Sequence, residues 1–70
     1  MVFLFSRRVR RMRRAAKLSQ AALAERAYCR VAFISRIERG EANPSLVTMT
    51  LIAAGLGCTV VDLLTAEERA

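Results

Sequence analysis

Seventy residues with 12 Lys and Arg against 6 Asp and Glu, a net charge of +6, leave room for one small domain and no second core. His and Trp are absent, as are a Gly-rich phosphate loop and a CxxC pair, which leaves an enzyme, a metal site or a bound cofactor without support. The charge is uneven: Met1 to Ser45 holds ten Arg, one Lys and three Glu, a balance of +8, while the remainder holds one Arg against three acids, −2, and so basic a half attracts polyanions whatever their sequence.

The five apolar residues of MVFLF precede the arginines, which is the wrong order and too short a run for a secretory signal. A first helix is predicted from Ser6, as its cap, to about Ala16, with Phe5, Val9 and Met12 at i, i+4 and i+7 toward a core. Arg7, Arg8, Arg10, Arg11, Arg13, Arg14 and Lys17 cover the rest. Seven cations without an acid repel one another, so phosphate contact by at least two of them competes with the reading of a solvated face. Ser19 caps a second helix, Gln20 to Ala27, in which Leu23, Ala24 and Ala27 share a face. Ala24 is small enough for the close crossing that a short turn, Tyr28 to Arg30, imposes. The third helix runs from Val31 to Arg39 and ends on a left-handed Gly40, with Ile34 and Ile37 inward. Val31, Ala32, Ser35, Arg36 and Arg39 form the opposite face, the surface that a major groove would meet.

Pro44 stops the loop and Ser45 caps a fourth helix, Leu46 to about Leu56, ending at Gly57, with Leu46, Met49, Ile52, Ala53 and Leu56 inward. Asn43 and the amides beside it are candidate phosphate ligands. Thr59 caps a short fifth helix, Val60 to Leu64, and the tail from Thr65 is expected to fray. Val47, Leu51, Ala54 and Val61 fall on the outer face of these two helices, an apolar surplus of the kind that marks a partner surface. Ala42 to Val61 carries no charge over twenty residues, a length that could span a bilayer. Asn43, Pro44, Ser45, three threonines and two glycines interrupt it, and two helices with a turn account for each, so no membrane is expected.

LSQAALAERA followed by ISRIERGEANPSL resembles the Cro and phage-repressor family of bacterial regulators, over roughly Phe5 to Leu64. The small Ala24, the pair Ile34 and Ile37, the IERG run and the NPSL opening of the next helix carry the likeness. It implies an all-α fold, a compact five-helix bundle whose helices 2 and 3 form a helix-turn-helix, as a single DNA-binding domain over 1–70 with its core at 5–64 and extensions at 1–4 and 65–70. It implies double-stranded DNA as partner, no cofactor, a cytoplasmic location at the nucleoid, and a symmetric homodimer for which Val47, Leu51, Ala54 and Val61 are the interface candidates. It further implies that Arg13 pairs with Glu38, tying helix 1 to the recognition helix, and that Ser19 and Gln20 hydrogen-bond phosphates.

Two departures stand out. Tyr28 occupies a turn position where the family usually has Gly at positive φ, at a cost on the order of 1 kcal/mol unless the turn is built otherwise. Arg30 stands where Ser, Thr or Asp would cap the recognition helix, and it cannot accept an amide hydrogen bond; a nearby phosphate would offset the fault. Cys29 and Cys58 sit at positions usually Val and read as buried thiols in a reducing cytoplasm.

Val31 and Ala32 replace the polar readers common at their positions and can only pack on thymine methyls. Arg36 is the strongest candidate for direct readout, of guanine O6 and N7, worth about 1–3 kcal/mol against a wrong base. Ser35 reaches bases or phosphates, Arg30 and Arg39 reach phosphates, and Phe33 packs either on the sugar-phosphate edge or on helix 2. The expected function is an operator-specific transcription regulator, a homodimer with recognition helices roughly 34 Å apart on a palindrome. Without a second domain to sense a ligand, control would come through concentration and dimerisation, as suits a phage repressor, an antitoxin or a restriction-modification controller. The rival is an antitoxin-like module that holds a toxin or other protein on the apolar face of helices 4 and 5. A non-specific single-strand binder lacks the aromatic platform it would need.

Overall fold

The computed structural model describes residues 2–65, with side chains from Leu4 to Leu64. Five helices follow one another: α1 Val2–Ala15, α2 Gln20–Arg26, α3 Val31–Glu38, α4 Leu46–Gly55 and α5 Val60–Thr65. The described residues form no strand, and the fold is all-α as expected. α2 packs on α3 and α4, α1 on α3 and α5, and α4 on α5, so every helix shares one core.

The helix ends follow local chemistry. Ser19 Oγ accepts the Ala22 amide at 2.9 Å, and Ser45 Oγ accepts the Thr48 amide at 3.2 Å. Thr59 and Asp62 form a reciprocal box: the Asp62 amide donates to Thr59 Oγ1 at 3.1 Å, and the Thr59 amide donates to Asp62 Oδ2 at 3.0 Å. Arg30 caps α3 without a side-chain hydrogen bond. The first four helices all close alike, on a left-handed residue: Lys17 (φ 60°), Tyr28 (φ 58°), Gly40 (φ 75°) and Gly57 (φ 78°). In each case the next amide reaches back five residues, as Leu18 to Arg13 at 3.1 Å, Cys29 to Ala24 at 3.0 Å, Glu41 to Arg36 at 2.9 Å and Cys58 to Ala53 at 2.9 Å. Tyr28 thus takes the conformation that glycine would ease. The left-handed Lys17 was not foreseen, because lysine carries no signal for it.

Phe5, Val9, Leu23, Ala24, Ala27, Ile34, Ile37, Ala42, Ile52, Ala53 and Leu63 make the buried core, with Met12, Met49 and Leu56 packed against it. Several expectations need correction. α1 starts at Val2, and Ser6 lies inside the helix, buried, rather than capping it. The apolar residues before Ser6 continue the helical period with no Gly or Pro to stop it, and burying Phe5 is worth more than a cap. Arg8 does not belong to a solvated face: it is buried beside the core. Leu46 faces outward, 66% exposed, at the first position of α4 and more than two turns from the contact with α2 at Gly55. Leu51, placed on the outer face, is half-buried against the core. Cys29 and Cys58 are half-buried rather than fully enclosed.

Gly55 is a further feature that periodicity did not mark. A Cβ there would sit 3.1 Å from Arg26 Cβ and 3.3 Å from Leu23 Cδ1, so its missing side chain lets α4 approach α2. Arg26 Nη1 completes the contact by donating to the Gly55 carbonyl at 3.3 Å.

Candidate nucleic-acid interface

α3 is divided by its period into a core side and an outer side. Ile34 and Ile37 are fully buried, while Val31, Ala32 and Arg36 are exposed and Ser35 is half-exposed between them. Arg30, just before the helix, and Arg39, at its end, are also exposed. Phe33 is half-buried and packed against the core, which favours the packing role over a place on a sugar-phosphate edge.

A nearly buried ion pair holds this face at a set angle to the rest of the molecule. Arg13 Nε donates to Glu38 Oε2 at 2.6 Å and Arg13 Nη2 donates to Glu38 Oε1 at 3.1 Å, with the side chains only 11% and 3% exposed. The remaining fork nitrogen, Nη1, donates to the Leu18 carbonyl at 2.8 Å. Gln20 Nε2 donates to Glu38 Oε1 at 3.0 Å. One carboxylate therefore joins α1, the start of α2 and the last turn of α3, in a planar two-point geometry that arginine provides and lysine does not. Gln20, read as a phosphate ligand, is turned inward with one amide proton committed; its other N–H remains for an outside acceptor.

Arg39 is similarly held, but at the surface. Its Nη1 donates to Ser35 Oγ at 2.6 Å, and its Nη2 donates to Glu41 Oε1 at 3.0 Å. The hydrogen bond from Arg39 and then its charge hold the Glu41 carboxyl below the usual range, and Arg36 pulls in the same direction. The same bond raises Arg39 further. Sequence reasoning missed Glu41, though Arg-Gly-Glu after a helix puts an acid within reach of the last-turn arginine. Ser35 and Arg39 thus form one unit, and an incoming phosphate has to compete with Glu41 for the fork.

Ser19 and Asn43 are exposed on either side, the first at the start of α2 and the second before the cap of α4. Arg10, Arg13 and Arg14 of α1, together with Gln20, Ser35, Glu38 and Arg39, line a shallow, open depression of about 200 Å³. The arginines of α1 and of the end of α3 therefore share one depression, whose acid, Glu38, is paired with Arg13.

The apolar candidates lie on α4 and α5. Val47 is 70% and Val61 66% exposed, Ala54 is exposed, and the outward Leu46 joins them. Leu51 contributes only in part.

Metal and thiol chemistry find no footing among the described residues. No three of His, Cys, Asp and Glu converge. Burial pushes both the Cys29 and Cys58 thiols up, the latter helped by the charge of Asp62 and opposed by that of Arg8, the reverse of what activates a thiol. Among the described residues no helix is long and apolar enough to cross a membrane.

Comparison with known proteins agrees with this geometry. The helix-turn-helix family HTH_3 matches residues 9–63. The immunity repressor protein of Bacillus phage phi105 is 40% identical over 53 residues, 76% of this chain, and the chain spans 37% of that repressor's length. Among solved structures, the restriction-modification controller protein C.AhdI from Aeromonas hydrophila superposes with a TM-score of 0.85 at 32% identity, over 89% of this chain and 94% of its own. The hypothetical transcription factor NHTF from Neisseria gives 0.90 at 28% identity, over 97% and 79%. With α3, its outward face and the ion pair that ties it to α1 in place, the chain belongs to the helix-turn-helix family of DNA-binding transcription regulators.

Proposed function

We propose that two copies of this chain bind a palindromic operator, each laying α3 in the major groove of one half-site, and so control transcription in the cytoplasm. The outward face of α3 carries the reading: it presents a guanidinium, a hydroxyl and two small apolar side chains to one side, with the core directly behind. Arg36 reads a guanine, Val31 and Ala32 pack on thymine methyls, and Ser35 is set by Arg39. Ser19, Gln20, Arg30, Arg39 and Asn43 hold phosphates around the groove. The exposed valines Val47 and Val61 form the self-complementary patch between copies. The longest dimension of the protomer, 30 Å, lies near the roughly 34 Å that separates half-sites one turn apart, so copies in contact can reach both.

Selection of bound duplexes from a random pool at about 150 mM salt, with the oligomeric state measured alongside, tests this reading. A palindrome with G at one fixed place in each half-site is the expected product. Arg36→Ala should then weaken operator binding about 5- to 150-fold, the equivalent of about 1–3 kcal/mol, and leave random duplex nearly unchanged. An equal loss on both would make Arg36 a phosphate contact.

Val61→Glu should yield folded monomers in sedimentation equilibrium. Leu51 is unsuited to this test because its half-buried side chain also supports the core. A Val61→Glu protein that stays dimeric would move the interface away from α5.

A further inference from the structure

We infer that the outer face of α1 is a second DNA site, in which Arg10, Arg11 and Arg14 hold phosphates of the duplex flanking the half-site that α3 enters. The inference rests on the reading of α3 as the DNA helix for its position, and on α1 itself for its chemistry.

The fold separates the basic residues of α1 into different uses. Arg13 is taken by Glu38 and Leu18, and Arg8 is buried with its Nε lacking a hydrogen-bond partner. Arg10, Arg11 and Arg14 remain exposed, and Arg14 stands four residues from Arg10 and three from Arg11, so that its side chain lies beside both. With Arg7 and Arg8 they line an open trough of about 560 Å³ whose described lining contains no acid. Of the acids closest in the sequence of the interface, Glu38 is committed to Arg13 and Glu41 to Arg39. A cationic trough whose wall holds a buried arginine with an Nε that lacks a hydrogen-bond partner among the described residues suits an external polyanion.

The identity of that polyanion follows from position. Arg10 and Arg14 line this trough and also the depression shared with Gln20, Ser35 and Arg39. A duplex against α3 therefore extends its backbone toward α1. The eight residues from Arg7 to Arg14 rise about 10 Å, enough to follow consecutive phosphates along one strand. Among the described residues the trough has no aromatic side chain on which an unpaired base could stack, which favours duplex backbone over single strands.

The test compares the full chain with its R10Q/R11Q/R14Q variant, glutamine being nearly as good a helix former as arginine. Binding is measured between about 50 and 200 mM salt on a long random duplex, on a selected operator with long flanks, and on the same operator trimmed to its half-sites. On the two long duplexes the slope of log K against log salt should fall by about 2–3 per protomer, at about 0.9 per phosphate released. On the trimmed operator the two proteins should have equal slopes. Equal slopes on the long duplexes, with the variant folded by circular dichroism, would overturn the inference. So would an equal difference on the trimmed operator, which would place the arginines inside the half-site, or a larger change on single-stranded DNA than on duplex. Should selection yield no operator, the random duplex still decides for or against α1, while the reading of α3 fails separately.

Discussion

Glu38→Ala is expected to cost about 3–5 kcal/mol, because it leaves the Arg13 guanidinium, 11% exposed, without its counter-charge. Gln20 loses its acceptor in the same step, and the last turn of α3 loses its tie to α1. A domain of this size has a total stability of roughly 4–10 kcal/mol, so the variant should be only marginally folded. Thermal melting should show a drop of at least roughly 12 °C for the lower figure of about 3 kcal/mol. Arg13→Met combined with Glu38→Leu should recover much of the loss, since matched apolar side chains avoid the desolvation that the pair has to offset. A loss under about 1 kcal/mol for Glu38→Ala would mean that water screens the pair as it does at a surface. DNA binding gives a second readout: in the double variant α3 would be less firmly aimed, and operator preference should fall further than stability.

Phe5→Ala should cost about 3–5 kcal/mol in urea denaturation, the range for truncating a buried aromatic ring. Phe5 is 2% exposed and sits in the same core as Val9, Leu23 and Ile34. This distinguishes two uses of the N-terminal stretch. Were the ring part of an arm covering a partner, its removal would weaken the dimer and leave the monomer intact, with a loss under about 1 kcal/mol in a monomeric background. The burial of Phe5 instead makes the first turns of α1 part of the fold, and explains why α1 begins before Ser6 rather than after it.

Much of the recognition unit is written locally. Ser19 accepts the Ala22 amide whatever surrounds it, Tyr28 and Gly40 close their helices within five residues, and the Ile34–Ile37 spacing names the buried side of α3. These features depend on neighbours in the chain, and they were readable for that reason. The IERG run and Arg13 could be matched only through a resemblance, because nothing local says which of six arginines on α1 meets Glu38.

The α4 and α5 face shows where periodicity stops helping. Leu46 and Leu51 are both leucines on one charge-free helix, yet the first is exposed and the second packs on the core. α4 is apolar almost all round, so its sequence names no single inward side. α2 meets α4 where its Leu23 and Arg26 press on Gly55, one turn beyond Leu51 and more than two turns beyond Leu46.

The sequence by itself determined that the chain is helical, where four of its helices start or stop, and that its basic half carries the helix-turn-helix, because capping, helical period and charge are properties of adjacent residues. Only the tertiary structure decided how the arginines are shared: Arg13 to Glu38, Arg39 to Ser35 and Glu41, Arg8 to the interior, and Arg10, Arg11 and Arg14 to the surface. These side chains are chemically identical. What separates them is which helix lies opposite and whether it brings a carboxylate, a carbonyl or only water within reach.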